Sequence, residues 1–232
     1  MPIATPTNLT SGGDAVTSTT FSTASVSPAA NALVIINFGY GRSPPNAGVV
    51  NSVTSGFATV AGWTLLDNDS VSNTNNAQYR ALTTGTPGSG TVTVDWSDSE
   101  IRKSWTLDQI SSGFDSTNFT VETAQNTTTS SSMLASLVDI GSSNLGYSAA
   151  TSAAMGSSTI TPGTGETEIA EGNSGGGSSI NGTQSQYSSQ LEHGWGTLGT
   201  GTSGHVYEIG ESTGAVAAAL IIRSLAATGA GR

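Results

Sequence analysis

Two stretches of the chain are apolar on both parities of a strand, and they set the terms for the rest. In "NALVIINFGYG", Ala32, Val34, Ile36 and Phe38 fall on one face, with Leu33 and Ile35 on the other. In "GAVAAALIIRS", Val216, Ala218, Leu220 and Ile222 alternate with Ala217, Ala219, Ile221 and Arg223. The apolar run from Ala215 to Ile222 stops at Arg223, short of the about 20 residues that a membrane helix needs. No capping box precedes it, and Gly and Thr surround it, so the pattern predicts a strand. Strands apolar on both faces sit centrally and are covered on both sides. A two-sheet sandwich covers only one face of each sheet. The second faces, Leu33 and Ile35 in one strand and Ala217, Ala219 and Ile221 in the other, are therefore expected to meet a packed terminal segment or a neighbouring subunit. Homo-oligomerisation is the expectation.

Other segments alternate more plainly. "GTVTVDWSD" sets Val92, Val94 and Trp96 against Thr91, Thr93 and Asp95, and "IRKSWTLDQI" puts Ile101, Trp105 and Leu107 on one parity. "NFTVETA", "GWTLLD", "AQYRALT", "MLASLVDI", "NLGYSAA", "ETEIAE" and "SQYSSQLE" are shorter candidates. Turn signals such as "GRSPPNAG", "TGTPGSG", "SSGFDSTN" and "TPGTGE" lie between them. No segment holds a period of 3.6. Many short strands with Gly, Pro, Asn and Ser punctuation predict an all-β antiparallel sandwich or barrel. "EGNSGGGSSING" (171–182) is read as a surface loop inside one domain spanning 16–232, preceded by an extended N-terminal arm over 1–15.

Composition narrows the function classes. Apolar residues are 35% and charged residues 9% of the 232 positions, so Ser, Thr, Asn and Gly must cover the surface. The net charge is −10, and the six basic residues, Arg42, Arg80, Arg102, Lys103, Arg223 and Arg232, form no stripe along the sequence. That pattern argues against nucleic acid and against an anionic membrane as partners. The acidic excess serves solubility. The absence of cysteine excludes disulfides and thiol chemistry. "MPIATPTNLT" has neither the basic nor the apolar region of a secretory signal.

Candidate chemistry is sparse. His193 and His205 lack metal-ligand spacing, and no GxSxG elbow occurs. Asp67 and Asp69, and Asp95, Asp98 and Glu100, resemble pieces of calcium loops but lack the glycine and distal glutamate of a full one. Acidic residues between strands are ordinary turn formers. No catalytic, cofactor-binding or metal-ligating residue is assigned, and no cofactor is expected. Trp96 and Trp105 share parity with core positions. Trp63 and Trp195 sit beside glycines in "AGWT" and "HGWGT" and are the candidate exposed aromatics on which a sugar would stack. The sequons at Asn8, Asn118, Asn126 and Asn181 are expected by chance in so Ser/Thr-rich a chain.

Several segments together resemble jelly-roll proteins of tailed bacteriophages. They are "FSTASVSPAANALVIINFGYG", "GTVTVDWSDSEIRKSWTLDQISSGFD", "ITPGTGETEIAE" and the closing "GAVAAALIIRS", and the resemblance extends over most of the chain, from about Thr19 to Ser224. The resemblance lies in the order of strands and turns and carries over no catalytic residue. It implies a jelly-roll-like sandwich and a non-enzymatic virion role, as a head decoration (cement) protein or as a tail or fibre module. Homotrimers, contacts with the major capsid protein or other virion proteins, synthesis in the host cytoplasm and a place on the capsid exterior are what it implies about partners and location. A receptor- or carbohydrate-binding module of a tail or fibre, with a glycan as partner, is the alternative.

Overall fold

In a computed structural model the described residues are 3–41, 48–71, 74–126, 133–136, 145–152, 160–162, 167–174, 180–186, 192–198 and 215–224. Every regular element among them is a strand. The first seven are β1 (Thr7–Asp14), β2 (Ser18–Ser22), β3 (Leu33–Gly41), β4 (Val50–Ser55), β5 (Thr64–Val71), β6 (Thr74–Leu82) and β7 (Val92–Ile110). Next come β8 (Phe114–Asn126), β9 (Met133–Ser136), β10 (Leu145–Ser152), β11 (Ile160–Pro162) and β12 (Thr167–Asn173). The last are β13 (Ile180–Gln186), β14 (Glu192–Leu198) and β15 (Ala215–Ser224). The fold is an all-β antiparallel sandwich, as the alternation predicts. The loop expected over 171–182 is shorter than that, since Glu171–Asn173 and Ile180–Gly182 are paired residues of β12 and β13, and 175–179 lie outside the described residues.

The seven-stranded sheet runs β1-β7-β3-β6-β5, with β2 and β4 attached to β7. The two strands expected at "GTVTVDWSD" and "IRKSWTLDQI" are one continuous strand of 19 residues. Its first part pairs with β2 and β4, and its second part with β1 and β3. Between them Arg102 takes a left-handed φ of 61°, a conformation that costs a non-glycine residue roughly 1–2 kcal/mol. The bend folds the sheet over its own first core. That core holds Val34, Ile36, Phe38 and Tyr40 from β3, Val92, Val94, Trp96, Trp105 and Leu107 from β7, and Phe21 from β2. Phe21 stacks on Trp105 at 4.6 Å between ring centres and tilts against Trp96 at 5.5 Å. Trp96 and Trp105 are thus core residues, as their parity predicts.

The five-stranded sheet, ordered β12-β13-β10-β15-β8, covers the other face of the central strands. Leu33 and Ile35, 0% and 1% exposed, pack with Ile110, Phe114, Leu145 and Tyr147 in a second core. The neighbouring subunit expected over these two side chains is therefore not what covers them. The third layer is supplied by the chain itself, because β10 returns across β3. The remaining positions of that face are polar: Asn37, Asn76, Gln78, Ser104 and Thr106 are all buried. Thr151 Oγ1 donates to Asn76 Oδ1 at 2.9 Å, so hydroxyl–amide bonds do part of the work of apolar contact here.

Glycine sets the approach of the layers at one edge. A Cβ on Gly172 of β12 would lie 2.2 Å from the Trp105 carbonyl oxygen and 2.6 Å from that of Gly12. Only a residue without a side chain lets these backbones meet. The N-terminal segment is extended as expected, but it does not reach outward. It forms β1, pairs with β7 from Thr7↔Gln109 to Asp14↔Lys103, and buries Ile3 in the second core. The strand predicted at "GAVAAALIIRS" is β15, which lies between β10 and β8. The three-stranded sheet β11-β14-β9 lies beside the five-stranded one.

Candidate functional site

The residues singled out from the sequence do not converge. Trp63 is half-buried and packs at the margin of the first core, edge-on to Phe57 at 6.3 Å. It is a partly covered side chain and not an open platform. Trp195 belongs to a different sheet, on β14 opposite Met133. Its side chain lies outside the described residues, as do those of Ala217, Ala219 and Ile221. Those three pair across from Ala150, Ser148 and Gly146 of β10, where Ser148 and Ala150 are fully buried. His193 is also on β14, and His205 lies outside the described residues.

The acidic residues read as fragments of calcium loops are strand residues. Asp67 and Asp69 lie on β5, and Asp95, Asp98 and Glu100 on β7. Asp95 accepts a hydrogen bond from Asn51 Nδ2 at 3.0 Å. Glu100 is fully buried and accepts one from the Gly48 backbone N–H. Among the described residues no three or more His, Asp and Glu gather where a metal ion would sit.

Two buried polar centres escape sequence reasoning, because each is assembled from strands far apart in the chain. The first pins the bend of β7. Lys103 is fully buried, its Nζ donates to the Val16 carbonyl at 2.6 Å and to Ser18 Oγ, and it lies 3.3 Å from Asp14 Oδ2. Burial, and secondarily the nearby Glu100 carboxylate, push the Tyr40 phenol above its ordinary range. The second centre spans the two large sheets. Asp108, 1% exposed on β7, accepts hydrogen bonds from Asn8 Nδ2 at 2.8 Å and from the Tyr147 hydroxyl at 2.7 Å. Burial raises its carboxyl to about 6, while the bonds from Asn8, Tyr147 and Thr183 oppose the rise. Burial, and after it the Asp108 charge, hold the Tyr147 hydroxyl well above its ordinary value, so it stays protonated and donates. The signal available in the sequence was only parity: Asp108 shares the face of Ile110, and Tyr147 that of Leu145.

One pocket of about 400 Å³ opens at the end of the sandwich where β3 starts and β7 ends. Val60, Leu82 and Phe114 give it apolar walls, and Asn31, Ser111 and Ser112 give it a hydroxyl and amide rim. Its position is fixed by Thr83, whose hydroxyl donates to the Ala29 carbonyl at 2.7 Å and accepts from the Ala32 N–H at 2.8 Å. Among the described residues no titratable side chain lines it. The arrangement can hold an uncharged group and offers no acid, base or nucleophile beyond serine hydroxyls. No protein-family model matches the chain, and comparison with curated proteins and with solved structures gave no match.

Proposed function

We propose that this protein is a non-enzymatic structural protein of a phage particle, and that its most fitting place is the outer face of the head, as a decoration protein clamping neighbouring capsid subunits. The observation that carries the reading is the use made of the buried ionisable groups. Lys103, Glu100 and Asp108 are each bonded to backbone or to a neighbouring strand, and the pocket is walled by neutral residues. Groups held this way stiffen a framework and are not aimed at a substrate. A rigid, acidic, Ser/Thr-coated body suits binding through its surface, and about 800 Å² per partner is enough for a stable contact. Assembly as a homotrimer on a basic shell belongs to the same reading.

The test is particle survival. Capsids carrying the protein should withstand heating or chelation that opens capsids stripped of it, and adding the purified protein back should restore resistance. Equal survival of the two would end the clamp reading. Immunogold labelling places the protein: gold over heads agrees with decoration, and gold confined to tail tips moves it to a fibre.

A further inference from the structure

We infer that the pocket at the β3 start of the sandwich is a binding site for a neutral sugar ring. Its volume of about 400 Å³ falls within the range of small-molecule pockets, roughly 300–1,000 Å³. Its lining divides as a sugar does. Val60, 67% exposed, with Leu82 and Phe114 forms an apolar surface for the C–H face of a ring. Asn31, Ser111 and Ser112 are exposed at the rim, and between them they supply an amide donor, an amide acceptor and two hydroxyls that work either way. Such groups match vicinal hydroxyls, which donate and accept from adjacent atoms.

Charge selects against other ligands. Among the described residues no cation lines the pocket, and the chain carries a net charge of −10, so phosphates, uronates and sialylated sugars are disfavoured by the local chemistry and by the overall field. The rim is also preset. Asn31 holds a left-handed φ of 53°, and Gly113, which also lines the pocket, one of 83°. Asparagine is one of the few non-glycine residues that adopt that region readily, and its surroundings hold it there. Here the surroundings are the Asn31 N–H bond to the Thr84 carbonyl at 3.0 Å and the Thr83 hydroxyl that ties down Ala29 and Ala32. Trp63 is not among its described lining residues, and the site does not depend on where the protein sits on a particle.

The experiment is saturation-transfer NMR on the full chain with methyl glucoside, methyl galactoside, methyl mannoside and a panel of neutral tetrasaccharides, with glucuronate and a sialylated trisaccharide as charged controls. At least one neutral ligand should saturate and the charged ones should not. Asn31→Gly keeps the left-handed backbone and removes the amide, and Ser111→Ala with Ser112→Ala removes the hydroxyls. Each should weaken binding roughly tenfold while leaving the circular dichroism spectrum unchanged. Three results would overturn the assignment: no neutral ligand binding to the folded protein, charged sugars binding as well as neutral ones, or variants binding like the parent chain. The capsid-survival assay is untouched by all three, so the two readings fail separately.

Discussion

Replacing Asp108 by asparagine should remove a pH dependence from folding, and the size of the effect follows from the structure. The carboxyl is raised from an ordinary 3.8 to about 6 because burial between the two large sheets penalises its charge. In the folded state it therefore keeps a proton that the unfolded chain gives up between those values. Stability falls wherever the folded state binds more protons, so this group contributes stability at low pH that is lost as pH rises through about 6. At about 1.4 kcal/mol per tenfold change in proton affinity, the loss amounts to about 3 kcal/mol. Asp108→Asn cannot titrate. It keeps the bond from the Tyr147 hydroxyl but sets an amide N–H against Asn8, whose Nδ2 also donates to the Leu107 carbonyl at 3.2 Å. That mismatch costs on the order of 1 kcal/mol and is the same at every pH.

The assay is urea unfolding of both proteins from about pH 3.5 to about pH 7.5, a window that brackets both states of the carboxyl. The other carboxylates titrate alike in the two chains and cancel in the difference. The parent minus variant curve should fall by about 3 kcal/mol with rising pH, with most of the change between pH 4 and 6. Tyr147→Phe removes a donor that favours the charged form, so it should move the midpoint of that fall upward. A flat difference curve, or one that rises with pH, would refute the argument that desolvation governs this site.

Three further outcomes are expected. Gly172→Ala places a Cβ 2.2 Å from a carbonyl oxygen and should cost about 3 kcal/mol or more by urea unfolding, whereas Gly85→Ala, with its nearest neighbour at 3.9 Å, should change little. Leu33→Ala empties part of the second core and should cost about 3 kcal/mol, with a midpoint that does not move with protein concentration; a concentration-dependent midpoint would return this face to a subunit contact. Lys103→Met leaves the Val16 carbonyl without its charged donor and should cost about 2 kcal/mol, with faster amide exchange in β2 than in β8.

The period-two pattern carried the fold class, the placement of β3 and β15 inside their sheets, and the burial of Trp96 and Trp105. These follow from local rules, because a strand shows each neighbour layer every second residue. The two-sided character of "LVII" was also legible, since it demanded two covers. What covers Leu33 and Ile35 was not, because the cover comes from β10, more than a hundred residues later, and nothing local distinguishes a distant strand from a second molecule. The merging of two predicted strands into β7 came from pairing with four other strands along its length, with the left-handed φ of Arg102 falling between its two parts. Lys103 beside Asp14, Asp108 beside Asn8 and Tyr147, and the pocket between Asn31 and Phe114 each arise where separate strands are brought together. The sequence by itself determined that this chain builds strands, which of their faces are apolar, and that its surface is neutral and acidic. Only the tertiary structure decided which faces meet, and with that which ionisable groups lose water, since desolvation is a property of the assembled layers and of no single strand.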